Sequence, residues 1–114
     1  MVLEDEPVLF DLLHDLLGFE GYSVSKPDKF ENLLEELRSE RPDAVLMDVN
    51  LKGANGLDLL AKIRADEDLK DTFVLISSGL DYRQESLQRG ADDFLMKPYM
   101  PDDLVKILKT KLDD

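Results

Sequence analysis

Apolar residues in this chain fall into two spacings that alternate from one end to the other. Short unbroken runs, Met1-Val2-Leu3, Ala44-Val45-Leu46-Met47, Phe73-Val74-Leu75-Ile76 and Phe94-Leu95-Met96, read as strands buried on both faces, as in a parallel sheet. A weaker run, Tyr22–Val24, is a candidate second strand. Between them, apolar positions fall three and four apart, which places them on one helical face. These stripes are Leu9, Leu12, Leu13 and Leu16; Phe30, Leu33, Leu34 and Leu37; Leu57, Leu60 and Ile63; and Leu104, Ile107, Leu108 and Leu112. Tyr82–Arg89 predicts a fourth, poorly amphipathic helix.

Punctuating residues agree with these boundaries. Pro7 suits the first turn of a helix beginning near Glu6, and Gly18 is placed to end it. Asp28-Lys29-Phe30-Glu31 resembles a capping box, and Pro42 stops the second helix. Asn55-Gly56 opens the third, Gly90 ends the fourth, and the fifth follows Pro101. Five strands alternating with five helices predict a doubly wound α/β domain with right-handed crossovers. At 114 residues the chain, 1–114, is expected to be one domain.

Each main strand ends on a polar group: Glu4-Asp5, Asp48, Ser77-Ser78 and Lys97. Open α/β sheets place ligands at the carboxyl ends of their strands. Three acids, a hydroxyl and an amine are therefore expected to converge, a set suited to phosphate and metal chemistry. Bare carboxylates would repel a phosphoryl group: like charges at about 4 Å cost on the order of 4 kcal/mol at an effective dielectric of about 20. A divalent cation with a preference for oxygen ligands removes that difficulty.

Composition narrows the choice. The formal charge of −12 argues against direct nucleic-acid binding. With no cysteine there is no disulfide, thiolate metal site or thiol nucleophile. No apolar run is long enough to span a membrane and no signal-peptide pattern opens the chain, so no membrane insertion and a cytoplasmic setting are expected. His14, without motif neighbours, reads as a surface residue.

Four segments, in order and suitably spaced, carry a resemblance that covers nearly the whole chain. They are Glu4-Asp5-Glu6-Pro7, the stretch from Asp48 through Gly56-Leu57, Ser77-Ser78-Gly79, and Gly90-Ala91-Asp92-Asp93-Phe94-Leu95-Met96-Lys97-Pro98-Tyr99. Together they resemble a response-regulator receiver domain of two-component signalling, of the chemotaxis-regulator type. The resemblance implies a flavodoxin-like, five-stranded parallel sheet of order 2-1-3-4-5 with five helices. It implies that Asp48 accepts a phosphoryl group from a histidine kinase or phosphotransfer protein. The metal, Mg²⁺ or Mn²⁺, would be held by Glu4, Asp5, Asp48 and the backbone carbonyl of Asn50. Lys97 would pair with a phosphoryl oxygen, Ser77 would be the switch hydroxyl, and Phe94 the aromatic whose rotamer follows it inward. The Lys97–Pro98 bond would be cis. The output would pass to a downstream protein or linked effector domain through the face of the fourth helix, fifth strand and fifth helix. Such a domain catalyses only its own phosphoryl transfer and dephosphorylation.

The chain departs from the commonest pattern of that family at several places. Serine stands at 77 where threonine is usual, Gly79 where a larger residue is common, and Lys52 where proline is frequent. Glu4 is one methylene longer than aspartate, and Met100 cannot cap the fifth helix with a side-chain oxygen. Ser78 competes for the switch role, and Phe94 reads equally well as plain core. Two other functions fit the fold: a degenerate receiver that binds partners without phosphorylation, and a flavin or nucleotide binder. The complete set of site residues argues against the first, and the acidic loop at Glu4-Asp5-Glu6-Pro7 against the second.

Overall fold

The structure, a computed structural model, describes residues 1–4, 6–27, 32–51 and 54–112. Its elements are β1 (Val2–Leu3), α1 (Pro7–Phe19), α2 (Leu33–Glu40), β2 (Ala44–Asp48), β3 (Asn50–Leu51), β4 (Ala54–Asn55), α3 (Gly56–Ala65), β5 (Phe73–Ser78), α4 (Arg83–Gln88), β6 (Asp93–Met96) and α5 (Pro101–Leu112). Strands β1, β2, β5 and β6 form one parallel sheet in the order β1-β2-β5-β6. Helices cross over between strands that run the same way, two of them (α1 and α2) between β1 and β2, and the four carboxyl ends lie along one edge.

Side chains alternate across a strand, and here that alternation divides the core. Leu3, Val45, Met47, Val74, Ile76 and Phe94 pack with Leu33 and Leu37 of α2 and Leu57, Leu60 and Ile63 of α3. Val2, Leu46, Leu75 and Leu95 pack instead with Phe10, Leu13 and Leu17 of α1 and Leu104 and Leu108 of α5. The unbroken apolar runs are thus strands covered on both faces.

Several expectations are corrected. Tyr22–Val24 does not join the sheet, which has four strands among the described residues rather than five. Val2 N–H does donate to the Ser25 carbonyl at 2.8 Å, but the polar Ser23 and Ser25 give this stretch little apolar surface to bury against a neighbour. On α1 the buried residues are Phe10, Leu13 and Leu17, while Leu12 is exposed. Apolar residues occupy most of this helix, so spacing alone does not fix its phase. The helix also runs through Gly18, and the left-handed turn after it is made by Gly21, at φ 95°. A short antiparallel pair, β3 with β4, adds to the expected elements; two residues a side leave no apolar run to mark it in the sequence. The capping box at 28–31, Phe30 and Lys52 lie outside the described residues.

Other signals hold. Asn55 caps α3, its Oδ1 accepting from Leu57 N–H at 2.8 Å and Asp58 N–H at 3.3 Å. Gly90, at φ 107°, follows α4. One side chain then ties three segments together. Arg64 donates from Nε to the Gly90 carbonyl at 2.8 Å and from Nη1 to the carbonyls of Lys70 at 2.9 Å and Thr72 at 2.7 Å. Its Nη2 meets Asp92 Oδ2 at 2.9 Å, and that oxygen also accepts from Val74 N–H at 2.8 Å.

Candidate functional site

The site is the two-residue continuation of one sheet face. Val2, Leu46, Leu75 and Leu95 face α1 and α5. Two residues further along each strand stand Glu4, Asp48, Ser77 and Lys97. Period-two alternation puts these four on the same face at the carboxyl edge. The register agrees, pairing Asp48 with Ser77 and Ser77 with Leu95. Ser78 and Phe94 belong to the opposite alternation, with Ile76.

Lys97 Nζ donates to Asp48 Oδ2 at 2.8 Å and to Glu4 Oε1 at 2.8 Å. The side chains are 21%, 12% and 6% exposed respectively, so three charges share a largely desolvated corner. Burial works against the ammonium charge, but the hydrogen bonds to Asp48 and Glu4 outweigh it and hold the pKa above the ordinary lysine value. The peptide bond between Lys97 and Pro98 is cis. The free oxygens of both carboxylates are anchored by backbone: Asn50 N–H donates to Asp48 Oδ1 and Glu6 N–H to Glu4 Oε2, each at 3.2 Å.

The loop after Asp48 is held just as closely. Val49 N–H donates to the Ser77 carbonyl at 3.0 Å, and Gly56 N–H to the Val49 carbonyl at 2.7 Å. A Cβ on Gly56 would lie 2.2 Å from the Asp48 carbonyl oxygen, so only glycine lets α3 begin here. Ser78 is buried, and its Oγ accepts from Leu80 N–H at 3.1 Å. That local bond and its opposite orientation separate it from Asp48, whereas the buried Ser77 is Asp48's register partner.

The residues meet the donor requirements of a hard divalent cation. Glu4 and Asp48 each place an oxygen against one shared cationic nitrogen, so the pair already accommodates a positive charge between them. Asn50, the fourth residue expected to contribute, follows Asp48 closely at an exposed position. Asp5 lies outside the described residues, and among those described no group of three or more acidic, histidine or cysteine side chains gathers around a common point. Phe94 is only 1% exposed, and the Arg83 guanidinium sits 5.4 Å from its ring centroid. The aromatic expected to swing inward is therefore already inside.

Sequence reasoning missed two members of this region. One is Gly56, whose only signal in the sequence is its place after Asn55 at the start of a helix. The other is Tyr99, which follows Lys97-Pro98. Its phenol is pushed up to about 12 by burial, Lys97 drawing it down and Glu4 and Asp48 raising it. Among the described residues its hydroxyl has no hydrogen-bond partner.

The profile of the response regulator receiver domain family matches residues 1–109. The DNA-binding response regulator MtrA of Mycolicibacterium smegmatis is 32% identical over 112 residues, 98% of this chain and 49% of that protein. The chain spans about half the length of the curated relatives it matches. Among solved structures, the receiver domain of the sensor histidine kinase PA1611 from Pseudomonas aeruginosa, with a magnesium ion coordinated in its active-site cleft, superposes with a TM-score of 0.86 at 28% identity. That match covers 99% of this chain and 95% of the other. The BeF3-activated N-terminal receiver domain of RstA from Klebsiella pneumoniae gives 0.88 at 27% identity, covering 99% and 97%.

Proposed function

Because this chain belongs to the response regulator receiver domain family of two-component signalling, we propose that Asp48 is its phosphoacceptor and that residues 1–114 act as a phosphorylation switch. The observation that carries this reading is the pairing of Asp48 with Lys97 at 2.8 Å in a largely buried corner that also holds Glu4 and Ser77.

An Asp48 carboxylate oxygen attacks the phosphorus of a phosphohistidine on a partner kinase or phosphotransfer protein. The new O–P bond forms as the P–N bond breaks, and the electron pair leaves with the imidazole, which takes up a proton. Carboxylates act as nucleophiles of this kind, and the protein's part is positioning and charge. The Asn50 N–H orients the Asp48 carboxylate. Lys97 is free to turn from Asp48 Oδ2 toward a phosphoryl oxygen, keeping its positive charge throughout. The Ser77 hydroxyl, on the adjacent strand, is the nearest side-chain donor in register. Glu4, Asp48 and the Asn50 carbonyl, with Asp5, are the residues to hold Mg²⁺ or Mn²⁺. Bound there, the ion would neutralise charge on the phosphoryl oxygens. The output is a change in the α4–β6–α5 face, read by a downstream protein or a linked effector domain. No described helix is long and apolar enough to cross a membrane, and the setting proposed is the cytoplasm.

Incubation with Mg²⁺ and acetyl phosphate, followed by intact mass, tests this directly. Wild type should gain one phosphoryl group, and Asp48→Asn none. A wild-type protein that stays unmodified under conditions that phosphorylate a known receiver would sink the proposal.

A further inference from the structure

Strand β6 leads directly into Lys97, and it is an edge strand, paired with β5 alone among the described residues. The free side of an edge strand has no ladder to hold it. Here three side chains close it. Asp93 Oδ1 accepts from the Phe94 N–H at 2.8 Å. The same oxygen lies 3.7 Å from Arg83 Nη1, and the Arg83 guanidinium stands 5.4 Å from the centroid of the Phe94 ring. A cation within about 6 Å of an aromatic face is attracted to it. The Arg83 side chain is 54% exposed while Phe94 is 1% exposed, so the guanidinium lies on the solvent side of a ring whose other side is the core.

Arg83 is itself held in place. It is the first residue of α4, and its N–H donates to Asp81 Oδ1 at 3.2 Å. The helix has little apolar surface of its own to dock with, since its one buried residue is Ser86. A surface ion pair such as Arg83 with Asp93 contributes little by itself; its part is to aim the guanidinium at the ring. Phe94 in turn pairs in register with Ile76, the neighbour of Ser77, and stands three residues before Lys97. Fixing this ring therefore fixes the strand that carries the amine.

We propose that Arg83 is a positioning residue for the phosphoryl site: by closing over Phe94 it keeps the ring inward and β6 in place, so that Lys97 is presented to Asp48 before any phosphoryl group arrives. The inference rests on the phosphorylation of Asp48 proposed above. A domain that already holds the arrangement a ligand needs binds it more tightly than one in which that arrangement is a minor state.

The test labels the full chain with 4-fluorophenylalanine and follows its fluorine NMR as beryllium trifluoride, a stable stand-in for the phosphoryl group, is added with Mg²⁺. The chain has five phenylalanines, and Phe94→Leu identifies the Phe94 resonance by removing it. Bound beryllium trifluoride gives fluorine signals of its own, so affinity is read from the same spectra. In wild type the Phe94 resonance should hold its position as ligand binds. In Arg83→Met it should start displaced and return toward the wild-type position on binding, with affinity about threefold weaker. Arg83→Lys, which keeps a cation beside the ring, should recover part of both. A wild-type Phe94 resonance that moves as far on binding as that of Arg83→Met, or an Arg83→Met affinity equal to that of wild type, overturns the role of Arg83 alone. No bound-ligand signal in wild type, with Asp48→Asn as the blank, overturns the reading of Asp48 on which it rests.

Discussion

Lys97 is the residue through which the acidic corner is balanced. Its raised pKa means that its contribution to stability is complete below the unfolded lysine value of 10.5 and is lost as pH rises through the higher folded value. The difference in denaturation midpoint between wild type and Lys97→Met should therefore narrow only in strong alkali. Lys97→Met leaves Glu4 and Asp48 facing each other without a cation. The variant should lose about 1–3 kcal/mol at neutral pH, less than a fully buried pair because the corner keeps some solvent contact. Lys97→Arg, which keeps a cation beside the two carboxylates, should recover part of that loss; a deficit as large as that of Lys97→Met would count against the electrostatic account. At Gly56 the constraint is steric. Gly56→Ala forces a Cβ toward the Asp48 carbonyl oxygen at 2.2 Å, and backbone on both sides cannot yield cheaply. It should cost about 2–3 kcal/mol and slow phosphorylation by acetyl phosphate, read as denaturant midpoint and intact mass on one sample.

Element by element, α4 is the least secured. It has six residues, and the only one of them that is buried is Ser86. Among the described residues the Ser86 hydroxyl has no partner, so this helix docks by a polar group where its neighbours dock by leucine, isoleucine and phenylalanine. Ser86→Ala should raise stability by about 1 kcal/mol, measured by chemical denaturation, and the same change should blunt any phosphorylation-linked movement of the helix. The elements also show how far the sequence could be read. The strands were plain because a run such as Val74-Leu75-Ile76, covered on both faces, has nothing polar to interrupt it. Helix α3 was plain because Asn55 and Gly56 mark its start and its stripe is narrow. Helix α1 was not: with Val8, Leu9, Phe10, Leu12 and Leu13 crowded together, choosing its inner face needs the partner helix α5. Strand pairing at Tyr22–Val24 failed for a similar reason, since an edge segment pairs only where tertiary contacts hold it. In the site, Asp48, Lys97, Glu4 and Ser77 were legible as strand-end polar residues. The shared grip of Lys97 on two carboxylates, the buried state of Phe94 and the idle hydroxyl of Tyr99 depend on side-chain positions that spacing does not encode.

The molecule as a whole carries a formal charge of −12, and self-repulsion of that kind opposes the compact state. Raising NaCl from about 20 mM to about 0.5 M should lift the thermal midpoint by roughly 2–5 °C, consistent with a screening gain of under about 1 kcal/mol. At matched ionic strength MgCl₂ should do more, and the excess should shrink in Asp48→Asn; equal effects of the two salts in wild type would argue against a divalent site at the carboxyl edge. The Arg64 contacts act over a similar range, because they join α3, the 66–72 turn and the α4–β6 junction through one guanidinium. Local opening of any of these segments breaks the bonds that satisfy the others. Amide hydrogens in the three segments should consequently exchange with solvent deuterium at a common free energy, as one cooperative unit. In Arg64→Met they should separate into three independent clocks, each running faster than before.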